Sequence, residues 1–404
     1  YAHKAVSDVP LTARWNRRFG TAGETSLEKR FRLVPRGTAI VITCATFPQW
    51  NGYPAIVANI LTGNSVILKP HPRTTLPVAL FTRTMRAVLL DQGFDPNLIT
   101  MAVDTTDKPI TMRLVKHSEA AIIDFTGGPS FGRWLEQNCA DKLVYTETAG
   151  CNSVVIESTD DYKGMCNAIA HSMCQASAQM CTSVQNIFLP KSGIETDLGH
   201  KSCSAVGEDL VSTVDRLLDT PKMASTLCGT LVDPKIYSTI TKLTEAGHSR
   251  GRVLRESQRY ENPEYPEART ATPLIIGVDA KEQDLYQQEH FGPISFLISV
   301  DDATQGLRRA TEDTKEFGAI TSHVYSTKFD FCQKAETAYH DAGASLSINL
   351  TGMPINFAAA YSDYHVSGLN PAGNACLADL AFVTNRFRIV QTRFPAGTLP
   401  KSQM

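Results

Sequence analysis

The sequence predicts an α/β protein built on parallel sheets, and three features carry that prediction. Short β-branched, apolar runs alternate with longer stretches of helical spacing. The runs lack polar alternation, as strands buried on both faces do. The helical stretches close at glycine or asparagine signals. At 404 residues the chain has room for two to three domains of roughly 150 residues each, and for a core that needs no disulfide staples.

Gly37 to Thr43 (GTAIVIT), after the Pro35-Arg36 turn signal, reads as a first buried strand. Pro54 to Leu61 has helical spacing and stops at Gly63-Asn64. Ser65 to Lys69 is a second strand, Thr75 to Leu90 a long helix, and Leu98 to Val103 a third strand. Ala120 to Thr126 is a fourth, followed by Gly127-Gly128 and a helix through Cys139; Leu143 to Glu147 is a fifth. After Asn152 strands are expected at Ser153 to Ile156, Gln185 to Leu189, Leu274 to Val278, Ile294 to Val300 and Ile320 to Tyr325. Helices are expected at Tyr162 to Ser177, Val206 to Leu217 and Tyr237 to Ala246, and Arg250 to Thr272 reads as a polar surface connection. Phe31 to Val34 and Phe387 to Thr392 are orphan strands, expected to pair with each other or with another subunit.

Composition excludes several classes. A net charge of -2 and a pI near 6.6 lack the basic excess of a nucleic-acid binder. No apolar run reaches the roughly 18 residues that cross a bilayer, and the polar, basic start shows no secretory signal. The ten cysteines include no CxxC pair, so neither a zinc site nor a disulfide framework is expected. They read as reduced thiols of a cytoplasmic protein. The chain begins at Tyr1 rather than Met and reads as a fragment or a processed form.

The chemistry concentrates in two places. Cys181, in QMCTSVQNI, sits in a loop of small and polar residues between a helix and a strand, where substrate can reach a thiol. Glu147, in TETAGCNS, ends a strand, at the edge where α/β sheets place their sites. A cysteine and a glutamate can form an acyl-thioester and then activate the water that hydrolyses it. A cysteine hydrolase using Cys181 and a histidine is the rival reading; the nearest histidine in sequence is His171.

Five segments in order resemble the aldehyde dehydrogenase family: FPQWNGYPAIVANILTGNSVILKP, DFTGGPSFG, ETAGCNS, QMCTSVQN and EHFGP. Cys181 follows Glu147 by 34 positions, the interval expected in that family. The resemblance implies a Rossmann-type cofactor domain over residues 37–152 and an α/β catalytic domain over 153–350. Residues 1–36 would be a partial N-terminal segment with an oligomerisation strand. Residues 351–404 would return to the cofactor domain and end in the second strand of the pair. The family's usual N-terminal helices are missing, which leaves a non-catalytic or impaired binding protein as the alternative.

The resemblance also implies roles. Cys181 is the nucleophile and Glu147 the deacylation base. Lys69, with Pro70, meets the adenosine ribose; Glu289 holds the nicotinamide ribose; Phe291 packs near the ring; Gly127 and Gly128 let the backbone approach the dinucleotide. An ungapped alignment from Lys69 puts Thr46 in the oxyanion hole, with Asn51 one turn on and lining the substrate tunnel; a gapped one makes Asn51 the oxyanion donor. The family's Lys-Pro-Ser-Glu is here Lys69-Pro70-His71-Pro72. Losing that Glu removes a charge that repels a 2′-phosphate, so NADP is the expected cofactor, with NAD the alternative; His71 is either near that phosphate or an exposed loop residue. With the ending FRIVQTRFP, the first segment is most similar to the PaaN-type aldehyde dehydrogenases of phenylacetic acid degradation. That branch implies a ring-opened, coenzyme A-linked semialdehyde as substrate. With the orphan strands, a homodimer or homotetramer is expected.

Overall fold

The structure is a computed structural model, and it describes residues 1–18, 20, 21, 23–148, 150–357 and 364–398. Ala149, in the ETAGCNS segment, lies outside the described residues. Near the start, strands β1 (Thr12–Arg18) and β2 (Glu24–Pro35) form an antiparallel hairpin. Strands β3 (Thr38–Ile42), β4 (Ser65–Lys69), β5 (Ile99–Met101), β6 (Ala120–Thr126) and β7 (Leu143–Glu147) build a parallel five-stranded sheet in the order β5-β4-β3-β6-β7. Four of the five residues of β3 are buried, as continuous apolar strands covered on both faces should be.

A second, seven-stranded sheet follows. Its strands are β8 (Ser153–Ile156), β10 (Asn186–Pro190), β12 (Arg252–Arg255), β13 (Leu274–Asp279), β14 (Ile294–Val300), β15 (Thr321–Tyr325) and β16 (Ser345–Ile348), ordered β12-β13-β14-β10-β8-β15-β16. All neighbours are parallel except β12 on β13. The two-residue strands β9 (Ser158–Thr159) and β11 (Glu195–Thr196) pair beside it. Every residue of β8, β10 and β15 is buried.

The two orphan strands pair with each other. β17 (Phe387–Pro395) runs antiparallel to β2 in continuous register, from Phe387 opposite Pro35 to Pro395 opposite Leu27. Both are longer than their apolar centres suggested, and β1 completes a three-stranded arm whose faces are largely exposed. The C-terminal segment is fastened to the first sheet by a buried ion pair. Arg386 Nη2 and Nη1 lie 2.6 and 2.8 Å from the Asp124 oxygens, with neither side chain reached by solvent. Arg386 also donates to Phe382 O at 2.8 Å and lies over the Tyr145 and Phe382 rings.

Two sequence expectations away from the cleft need correction. The polar stretch after Arg250 is not all connection, because Arg252–Arg255 adds the antiparallel edge strand β12. The helix expected through Ser177 stops at Cys174, where Ala176, Ser177 and Ala178 take left-handed backbone angles (φ 53°, 55° and 48°). Among the described residues no helix is long and apolar enough to cross a membrane.

Candidate active site

The carboxyl ends of β3, β4, β6 and β7 open on a cleft of about 770 Å³, within the range of small-molecule and cofactor sites. All eleven residues singled out from the sequence line it: Thr46, Asn51, Lys69, Pro70, His71, Gly127, Gly128, Glu147, Cys181, Glu289 and Phe291. His171 does not; it sits on the helix Tyr162–Cys174.

Cys181 is presented by a loop that is anchored on both sides. The left-handed turn ahead of it costs roughly 1–2 kcal/mol per non-glycine residue, and buried hydrogen bonds hold it. Ser177 Oγ donates to Cys228 O at 3.0 Å, and Gln179 bonds Ala176 O, Thr230 O and Val232 N at 2.9–3.0 Å. Asn152, just ahead of β8, donates to Cys181 O at 2.7 Å and Ser183 O at 2.9 Å. It also accepts from Ile320 N and Thr321 N. One buried amide therefore ties the cysteine loop to the sheet.

Glu147 ends β7 with 1% exposure. Its Oε2 accepts from Asn51 Nδ2 and, at 3.0 Å, from Thr126 Oγ1, which in turn accepts from Asn374 Nδ2. The helix that carries Asn51 begins at Pro48, not Pro54; proline's fixed φ suits a first helical position. Asn51 thus lies in that helix's first turn, its amide engaged by Glu147, while Thr46 stands in the preceding loop and faces the same cleft.

One residue absent from the sequence reading sits at the centre. His365 Nε2 is 3.1 Å from Cys181 Sγ and 3.2 Å from Glu147 Oε1. Burial alone would raise Glu147, but the charge and hydrogen bond of His365, with Asn51 and Thr126, hold the carboxyl below its usual value. Burial pushes the Cys181 thiol up to about 11, with His365 opposing and Glu147 and Cys44 adding to the rise. Burial disfavours the His365 imidazolium, yet Cys181 and Glu147 outweigh it and raise its pKa well above the ordinary value. The three ligand atoms lie within 4.8 Å of one another, and His365 Nε2 links the other two by hydrogen bonds.

The other end of the cleft has features a dinucleotide would need. A Cβ on Gly127 would fall 2.7 Å from the Phe125 ring, whereas one on Gly128 would meet nothing within 4 Å. The backbone there is bare toward open space at the N-terminus of the helix Pro129–Asn138, whose partial positive charge suits a pyrophosphate. Lys69 Nζ contacts Asp104 Oδ1 at 2.6 Å and donates to Pro70 O at 2.7 Å. His71 Nδ1 accepts from Arg73 N and caps the short turn that begins at Pro72. Burial, followed by Arg73 and Lys69, lowers the His71 pKa. Burial, with Glu147 adding, pushes Glu289 up to about 8. The loop carrying Glu289 and Phe291 is fixed by Gln185, which accepts from His290 N at 2.7 Å and donates to Tyr286 O and Gln288 O.

A glycine turn and a buried glutamate at the carboxyl end of one parallel sheet, facing a cysteine loop carried by a second sheet, define a dinucleotide-type α/β enzyme fold. The chain belongs to the aldehyde dehydrogenase family, whose model matches residues 9–356. An NAD-dependent aldehyde dehydrogenase from Burkholderia multivorans superposes with a TM-score of 0.89 at 43% identity, over 97% of this chain and 70% of that one. A glyceraldehyde-3-phosphate dehydrogenase from Methanocaldococcus jannaschii complexed with NADP has a TM-score of 0.73 at 14% identity, over 98% of this chain and 79% of that one, and shares the fold alone. A 1-pyrroline-5-carboxylate dehydrogenase from Bacillus pumilus is 25% identical over 338 residues, 80% of this chain and 61% of its own length. The chain thus spans about three fifths of the length of the first curated relatives it matches.

Proposed function

We propose that the chain oxidises an aldehyde to a carboxylic acid through a thioester on Cys181, with a nicotinamide dinucleotide as hydride acceptor. The observation that supports this best is the convergence of Cys181 and Glu147 on the cleft that Gly127, Gly128, Lys69 and Glu289 also line. Cys181 attacks the aldehyde carbon. The oxyanion that forms takes hydrogen bonds from the Cys181 backbone N–H and from the Thr46 hydroxyl, with the Asn51 amide as the alternative donor. The bound nicotinamide supplies the hydride acceptor. Glu147, held below its ordinary pKa and therefore ionised at neutral pH, takes a proton from the water that releases the acid.

Lys69, Pro70 and Glu289 are assigned to the dinucleotide's riboses and Phe291 to its ring. Pro72 stands in place of the family's acidic ribose partner, which favours NADP over NAD; His71 and Arg73 line that end of the cleft, with Asp104 and Asp233 paired to Lys69 and Arg73. Residues 37–152 form the cofactor unit in this reading and 153–350 the catalytic unit. The exposed Ile389 and Val390 of the arm support a dimer or tetramer, and ten free thiols suit the cytoplasm. The substrate reading favours a coenzyme A-linked semialdehyde, resting on the sequence segments that resemble the PaaN-type branch.

The test is reduction of NADP on mixing with an aldehyde panel that includes a coenzyme A-linked semialdehyde and glutamate semialdehyde. Cys181→Ala should lose turnover by several orders of magnitude, while Cys174→Ala should keep it. In Glu147→Gln, one reduction per site should leave an acyl adduct on Cys181, visible by intact mass. Equal losses in the two cysteine variants would overturn the assignment.

A further inference from the structure

His171, the histidine nearest to Cys181 in sequence, does not line the cleft, yet the fold delivers another histidine to the sulfur. His365 comes from the segment after β16, and the contact spans 184 positions. Its side chain is 2% exposed. Its segment is laid along β7: Thr146 N donates to Ala372 O and Asn374 N to Thr146 O, both at 2.9 Å. Asn370 accepts from Thr148 N at 3.2 Å. Next to His365, Gly368 packs back to back on Gly343, and a Cβ on either would fall within 2.7 Å of the other's Cα. This close approach fixes how near the return strand can come, and hence where the imidazole sits.

We propose that His365 is a third catalytic side chain: its Nε2 faces the Cys181 sulfur and the Glu147 carboxylate at once, and as an imidazolium held against Glu147 it stabilises the Cys181 thiolate that attacks. The proposal rests on the reading of Cys181 as nucleophile. The step is a proton loss alone. The S–H bond breaks, the proton passes to water, the Nε2–H bond stays intact, and no electron leaves the group. Geometry selects His365 because a single nitrogen lies within hydrogen-bond reach of both anionic partners, at 3.1 and 3.2 Å. An imidazolium between two anions is the arrangement that stabilises both. The other groups facing the trio do not offer this. Cys44 is a thiol that opposes ionisation of Cys181, Cys376 lies against the backbone of His365, and Glu289 is an acid that Glu147 pushes upward. Without His365, burial, Glu147 and Cys44 all disfavour the thiolate.

The experiment uses the full chain without aldehyde or nucleotide, so its outcome is independent of whether the chain oxidises aldehydes. Alkylation of Cys181 by iodoacetamide, followed peptide by peptide across pH, reads the thiolate. His365→Asn and His365→Gln should slow the reaction at neutral pH by tenfold or more and move its profile to higher pH by about one unit, the shift that a tenfold change represents. A profile unchanged in either variant that melts like the wild type would overturn the proposal. A second measurement needs no variant: the imidazole resonances of the wild type, titrated before and after alkylation of Cys181. One histidine should titrate about one unit lower once the sulfur can no longer carry charge. No responding histidine among the ten would also overturn the proposal.

Discussion

Replacing Asp124 by asparagine should cost the protein several kcal/mol, because it strands a buried charge. Asp124 and Arg386 are both fully enclosed, joined by two hydrogen bonds of 2.6 and 2.8 Å, and Asn59 donates a further bond to Asp124 at 3.0 Å. In Asp124→Asn the guanidinium keeps Phe382 O, the faces of Tyr145 and Phe382 and a single amide oxygen in place of the carboxylate, so it has no charged partner. Breaking one side of a buried pair costs roughly 3–5 kcal/mol, while each ring contributes about 1–2 kcal/mol to a desolvated cation and offsets part of that. A net loss of about 2–4 kcal/mol is expected, read by urea denaturation with tryptophan fluorescence. The double variant Asp124→Leu with Arg386→Met, which removes both charges, should recover most of the loss. A loss under about 1 kcal/mol in the single variant, or no recovery in the double, would refute the view that this pair fastens the C-terminal segment to β6.

Three further outcomes are expected. Pro72→Glu should shift the kcat/KM ratio from NADP toward NAD by about tenfold, or roughly 1.4 kcal/mol, in paired initial-rate assays; a wild type that prefers NAD contradicts this. His323, buried in β15 with both ring nitrogens unpartnered and its pKa lowered by burial to about 4, is neutral when folded but takes a proton below about pH 6.5 when unfolded. The unfolded state therefore binds more protons between pH 4 and 6.5, and stability should fall by about 2 kcal/mol from pH 7 to pH 5, a loss that His323→Leu should reduce in denaturation curves at the two pH values. Asn152→Asp keeps the acceptor for Ile320 and Thr321 but sets a carboxylate against Cys181 O and Ser183 O, so turnover should drop tenfold or more with the fold's circular dichroism retained.

Much of the parallel framework was legible because its central strands are buried on both faces, whereas the edge strand Ser345–Ile348, exposed or half-buried throughout, was not. SVILK, AAIIDFT and LVYTE carry continuous apolar or β-branched character and appear with the expected bounds. The arm was half visible: in TARWNRR six of seven residues are exposed, so no face shows a hydrophobic pattern. The helices Ala303–Phe317 and Phe329–Ala342 went unassigned because their exposed faces are crowded with charged residues, although one stripe of each is buried. The stop at Cys174 depends on left-handed alanines and a serine, which composition does not announce. At the site, the cleft gathers the residues the resemblance named, whereas His365 was hidden by separation. Proximity along the chain pointed to His171, and the one local clue was a histidine set among buried serine and asparagine in HVSGLNPAGN, a polar run the core accepts only with partners.

The contact between Cys181 and His365 also sets an order of events during synthesis. At about 5–20 residues per second, the 184 positions between them take roughly 10–40 s to add. Throughout that interval the emerged cysteine has no imidazole beside it, and Glu147 lacks the return segment that lies along β7 in the finished protein. The Cys181–His365 contact is therefore among the last of the site to form, and until then the thiol meets its surroundings as an exposed cysteine of ordinary acidity.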